Sequence, residues 1–170
     1  MKKRSAKIGI MFVVIWTLLI FAFSLQPAEA SSNMSLGFGR WLLETFLPRM
    51  LEYMESLSVD ELARFHHLLR KAAHFTEYLI LGTLAVNAMF AITRNVRKWR
   101  WWYPWSYCVF VACMDETIQK FVPGRAGMMK DVCLDSVGAL VGTLFLFGIL
   151  YQICSRKNLT DDFEGRKNIL

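Results

Sequence analysis

The sequence predicts an all-α integral membrane protein: a four-transmembrane-helix bundle with an extracytoplasmic amphipathic helical segment between spans 1 and 2. Three observations carry this reading. Of the 170 residues, 55% are hydrophobic, and they gather into long uncharged blocks instead of spreading at the periods of two or 3.6 that mark soluble strands and helices. The basic residues flank those blocks asymmetrically, and a few acids sit where hydrocarbon would otherwise be. The net charge of +6 is small and forms no long basic face, which excludes a nucleic-acid partner, and the apolar content excludes disorder.

Four blocks are long enough to approach the roughly 20 residues that cross about 30 Å of hydrocarbon. They are Ile8 to Leu25, Ala72 to Thr93, Trp101 to Phe121 and Val132 to Cys154. Lys2, Lys3, Arg4 and Lys7 precede the first, Arg94, Arg97, Lys98 and Arg100 fill the second connection, and Arg156, Lys157, Arg166 and Lys167 follow the last. Twelve of the 20 basic residues therefore lie on one side, and the positive-inside rule places both termini in the cytoplasm. Residues 1–155 form one membrane domain and 156–170 a polar cytoplasmic tail. Trp99, Trp101, Trp102, Tyr103 and Trp105 cluster beside Arg100, as an interfacial aromatic belt does. The first block has a competing reading as a signal peptide ending at Ala28-Glu29-Ala30, although 18 residues is long for such a segment.

The 46-residue connection from Gln26 to Lys71 lies outside and carries five basic and six acidic groups. Within its insertion at 36–69, Leu42, Phe46, Met50 and Met54 recur at helical spacing between charged positions, so an amphipathic helix is expected, bent at Pro48. Ser58 and Glu61 form a capping box that starts a new helix, one that can run unbroken into the second span. The cysteines, Cys108, Cys113, Cys133 and Cys154, read as small apolar core residues; they form no zinc motif, and no cofactor or metal is expected.

The third block supplies only 14 uncharged residues, Trp101 to Met114, so Asp115 and Glu116 must enter the membrane. Glu77 and Asp135 fall at a similar depth in the neighbouring spans. Facing lipid, each carboxylate would cost on the order of 1 to 3 kcal/mol or more, so the acids should face one another, a basic partner or a wet cavity. Lys71, His74 and Tyr78 share a helical stripe, with Glu77 three residues after His74, while Asp131 and Asp135 share another. Arg125 sits beyond the turn-forming Pro123-Gly124 pair. The simplest role for these charges is structural, with Lys71 and Arg125 neutralising the acids. Gly138 and Gly142 read as a close-packing step and Asn87 as interhelical glue. His66 and His67 read as surface groups and Lys120 as an end anchor.

Three strings in order, Lys71-x-x-His74-x-x-Glu77-Tyr78 with Leu81-Gly82, Asp115-Glu116-x-x-Gln119-x-Phe121-Val122-Pro123-Gly124-Arg125, and Asp131-x-x-x-Asp135-x-x-Gly138, resemble the signature of VanZ-like membrane proteins. Phe23-Ser24-Leu25-Gln26-Pro27, with Ser31 and Ser32 after it, is similar to how that family leaves its first span. In many relatives the position of Asp135 holds an asparagine. The resemblance implies a multi-pass protein of the bacterial cell membrane, associated in the founding member with low-level teicoplanin resistance, and no known reaction.

Three functions fit these residues. The first is an outward-facing polar site, built from Lys71, His74, Glu77, Tyr78, Asp115, Glu116, Gln119, Arg125, Asp131 and Asp135, that binds membrane lipids or a lipid-linked envelope precursor. The second is an intramembrane hydrolase or transferase in which His74, Glu77, Asp115 and Glu116 supply acid, base or metal ligands. The third is a structural membrane partner. A transporter fits least, since paired broken helices are lacking.

Overall fold

The computed structural model describes residues 2–46, 58–93 and 100–167. Among them are five helices and no strand: α1 (Lys2–Ser24), α2 (Ala28–Phe46), α3 (Val59–Thr93), α4 (Trp102–Gln119) and α5 (Met129–Lys167). Three contain stretches long and apolar enough to cross a membrane, namely Arg4–Ser24, Val59–Thr93 and Met129–Arg156. At 1.5 Å per residue the 35 residues of α3 extend about 52 Å, so α3 outruns the hydrocarbon by roughly 20 Å. The 18 residues of α4 extend about 27 Å.

The side chains are distributed inside out relative to a soluble bundle. Ile8, Phe12, Ile15 and Leu18 of α1, Phe110 and Met114 of α4, and Val141, Phe145 and Ile153 of α5 are exposed, while Thr17, Ser24, Asp115, Gln119, Asp135 and Thr143 are buried. Lipid is as apolar as leucine, so apolar burial does little to hold such helices together, and close packing and interhelical hydrogen bonds do more.

Both devices are visible. Helix α3 is central and touches the other four. Along its seam with α5 the backbones nearly meet: a Cβ on Gly138 would strike the Phe75 carbonyl, one on Gly142 the Leu79 carbonyl, and one on Gly82 the Ala139 carbonyl. The glycine step expected to permit close packing does so. Trp16 Nε1 donates to the Glu77 carbonyl at 2.9 Å, Thr17 and Tyr107 share a hydrogen bond at 3.0 Å, and Trp105 Nε1 donates to the Ser136 carbonyl at 3.0 Å. These pairs fix direction. Phe75 meets Gly138 and Leu79 meets Gly142, so α3 and α5 run parallel. Gly9 packs on Ala88 while Trp16 reaches Glu77, so α1 runs antiparallel to α3. Thr17 meets Tyr107 and Ser24 meets Gln119, so α4 follows α1.

Several local expectations need correction. The helix after the first span starts at Ala28, not near residue 36; Pro27 cannot extend α1, its carbonyl accepts the Ser31 N–H at 3.0 Å, and the Ala28 N–H reaches the Pro123 carbonyl at 3.4 Å. The bend at Pro48, the later apolar positions of that helix and Trp99 lie outside the described residues. Of the four cysteines only Cys108 is buried; Cys113 and Cys133 are exposed among the outward apolar side chains. Trp105 packs against the core and does not stand in an outer belt, whereas Trp102 and Tyr103 are exposed and stack at 3.9 Å. Asn87 is exposed and lines an open groove with Arg4, Ser5 and Phe12, so it glues no described helix pair. Lys120 is exposed at the end of α4, and His67 is exposed on α3. The Glu61 half of the capping box forms: its Oε2 accepts from the Ser58 N–H at 2.9 Å and from the Ser58 hydroxyl at 2.7 Å.

Candidate functional site

The polar residues converge at one end of the bundle, where α3, α4 and α5 meet the end of α1. Helix α3 brings Lys71, His74, Glu77 and Tyr78 there because positions three and four apart share a face. Asp115 and Asp135 are fully buried, each at 0% exposure, a cost that neutral packing residues would avoid.

The hydrogen bonds divide the acids by role. Asp115 Oδ2 accepts from Gln119 Nε2 at 3.3 Å, and the same amide lies 3.4 Å from the Ser24 hydroxyl. Ser24, buried at the end of α1, was not singled out by the sequence; the only hint is its place in the string that closes the first span. Glu116 faces elsewhere: its Oε2 accepts the Met128 N–H at 2.9 Å, and Gly127 packs onto its carbonyl. Both adjacent acids are buried, yet one looks into the bundle and the other ties down the connection to α5. They do not form a pair.

No described cation makes a direct contact with the two buried aspartates. Lys71 Nζ lies 3.4 Å from Asp131 Oδ1, and Asp131 also stands in the first turn of α5, where an acid complements the helix dipole. Arg125 Nη2 donates to the Phe23 carbonyl at 2.9 Å, while its charge still acts on Asp115, Glu116 and Glu77. The turn that places it is a Val122 carbonyl to Arg125 N–H turn of 3.2 Å around Gly124, whose φ of 75° only glycine adopts readily. Among the described residues no cationic side chain lies within 4.0 Å of Asp115 or Asp135. His74 Nδ1 stands 3.9 Å from Glu77 Oε2, too far for a hydrogen bond.

Above this layer, Arg70, Lys71, His74, Gln119, Asp131 and Leu134 line a narrow recess of about 10 Å³, room for roughly one water. Arg70 is a rim residue that sequence reasoning missed, although it precedes Lys71 directly. Of the ten expected site residues, His74, Asp115, Gln119 and Asp135 form the inner layer with Tyr78 and Glu77 beside it; Lys71 and Asp131 form the rim; Arg125 and Glu116 hold the surrounding backbone.

No curated protein and no solved structure matches the chain. The sequence profile of one family does match, over residues 9–152, a range that holds α1 almost entire, the whole polar cluster and the seam of α5. The chain belongs to the VanZ/LLP1 family.

Proposed function

We propose that the chain is a four-span envelope membrane protein whose polar pocket opens on the outer face, binds an anionic or zwitterionic lipid headgroup or a lipid-linked cell-wall precursor, and thereby alters susceptibility to glycopeptides such as teicoplanin. The observation that supports this most is the recess rimmed by Arg70 and Lys71 on one side and Asp131 on the other. The recess itself is only about 10 Å³, room for roughly one water, so the headgroup sits on the rim and not inside it. The mixed rim matches a zwitterion, with Arg70 and Lys71 taking phosphate or carboxylate and Asp131 taking an ammonium. Lys71 keeps its side chain one-third exposed while paired, so an incoming anion can compete for it without stripping a buried ion pair.

The test is native mass spectrometry of detergent-purified protein supplied with phosphatidylglycerol or phosphatidylcholine, comparing the parent with Arg70→Ala and Lys71→Ala. Each substitution should cut the bound fraction about tenfold while leaving the thermal unfolding midpoint near that of the parent, and expression of the parent should shift teicoplanin tolerance where the variants do not. Equal retention of both lipids by parent and variants would remove the headgroup reading. A second reading, an intramembrane hydrolase or transferase, draws support from an imidazole placed beside three carboxylates; Glu116, occupied by the Met128 N–H, drops out of its acid and base set.

A further inference from the structure

Below the rim, three helices each contribute one metal-capable side chain to a single point. His74 of α3, Asp115 of α4 and Asp135 of α5 offer ligand atoms that all lie within 4.8 Å of one another. The geometry points to a divalent cation site, of the Zn²⁺ or Mn²⁺ class, formed by these three residues. This goes beyond the headgroup reading and does not rest on it.

The convergence alone would be a cluster of titratable groups. What gives it a ligand is the state of its atoms. His74 Nδ1, Asp115 Oδ1 and both Asp135 oxygens are buried with no hydrogen-bond partner. Buried carboxylate oxygens without donors are costly, and native structures rarely leave them so. No described cation contacts either aspartate: Lys71 pairs with Asp131, and Arg125 gives its Nη2 to the Phe23 carbonyl, its field reaching Asp115 but not relieving Asp135. Two aspartates and one divalent ion sum to neutrality, the condition a low-dielectric site favours.

The surroundings fit a resident ion as well. Gln119 Nε2 holds Asp115 Oδ2 at 3.3 Å, fixing the carboxylate so that Oδ1 is the free oxygen, the outer support that metal ligands commonly have. The buried Tyr78 hydroxyl, one helical turn after His74, stands beside Asp115 and adds to the support of that carboxylate. His74 also lines the narrow recess above, which joins the trio to the charged rim. One imidazole and two carboxylates without thiolate suit Zn²⁺ or Mn²⁺; Ca²⁺ requires six to eight oxygens and Mg²⁺ favours oxygen alone. Metal–ligand bonds of about 2.0 to 2.2 Å need ligand atoms roughly 3 to 3.5 Å apart, so binding draws the three side chains inward.

The test uses the full chain in detergent, stripped with EDTA and titrated with Zn²⁺ or Mn²⁺ alone by calorimetry, with elemental analysis of the loaded protein. The parent should take up one equivalent per chain and unfold at a higher temperature when loaded. Asp135→Asn and His74→Gln should each weaken binding about 10- to 100-fold and lose the thermal shift, while Glu29→Gln, an exposed acid on α2, should match the parent. Co²⁺ bound to the parent should give a ligand-field absorption band that one equivalent of Zn²⁺ removes, a readout that survives even if a variant fails to fold. Sub-stoichiometric uptake, or equal affinity in the parent and both site variants, would mean adventitious binding and overturn the site. So would a parent that binds neither ion while Asp135→Asn raises its stability, since protons or water would then be what satisfies the aspartates.

Discussion

Pro27 has no N–H, so the Phe23 carbonyl cannot receive the bond that residue 27 would donate in a continuing helix. It accepts instead from the Gln26 N–H at 3.2 Å and from Arg125 at 2.9 Å, where a cation also complements the C-terminal end of α1. Arg125→Ala should therefore lower stability by about 1 to 2 kcal/mol, with Arg125→Lys recovering part of it. In a cycle with Pro27→Ala the two effects should be less than additive, because the restored N–H gives the carbonyl a new donor. Thermal unfolding of the four proteins in detergent measures this, and strict additivity would leave Arg125 free for a ligand. Glu116→Ala should cost about 1 to 3 kcal/mol by stranding the Met128 N–H, and Glu116→Gln far less, since its amide oxygen still accepts. The importance of Arg125 and Glu116 was legible in the charged strings, but not their partners. Both partners are backbone groups, which leave no trace in side-chain patterns except where a proline removes a donor.

At the scale of elements, the seam between α3 and α5 makes a sharper prediction than any single polar contact. Gly142 faces the Leu79 carbonyl so closely that a Cβ must displace backbone, whereas Gly148, two turns further on, has nothing within 4 Å. Gly142→Ala should destabilise by about 1 to 3 kcal/mol, and Gly148→Ala should be neutral or stabilising by up to about 1 kcal/mol through helix propensity. Comparable losses for both would mean that propensity and not contact sets the outcome. The packing step at Gly138 and Gly142 was readable because its spacing is local, as was the unbroken run of α3 from its capping box. The early start of α2 was not. Its first residues, Ala-Glu-Ala-Ser-Ser-Asn, carry no apolar periodicity, and the helix is seeded by Pro27 and by the contact of the Ala28 N–H with Pro123 across the bundle. The members of the metal-capable trio were all legible as site residues, and His74 and Asp115 as possible metal ligands, but their meeting with Asp135 was not, because they come one from each of three helices with no spacing to recognise.

The whole molecule turns on whether α4 crosses the membrane. Composition leaves it short, because Asp115, Glu116 and Gln119 occupy its last turns, and among the described residues three other helices meet the length and apolarity of a span. The packing supports a fourth crossing. Helix α4 is about 27 Å long, lies beside α1 in the same direction through Thr17–Tyr107 and Ser24–Gln119, buries Asp115, Glu116 and Gln119 in the bundle and shows Phe110 and Met114 outside. Parity makes this measurable. With four crossings the start of α1 and the end of α5 share a compartment; with three they do not. In a background lacking the four native cysteines, we expect Ser5→Cys and Ser155→Cys to react with an impermeant maleimide only after cells are permeabilised, and Asn33→Cys to react in intact cells. All three positions are exposed on described helices, so reactivity reports the compartment and not burial. Labelling of Ser155→Cys but not Ser5→Cys in intact cells would reduce the count to three and leave α4 as a re-entrant element. Labelling of both, with Asn33→Cys protected, would keep the four crossings but turn the Arg70 and Lys71 rim toward the cytoplasm, where it could not meet an outer-leaflet headgroup.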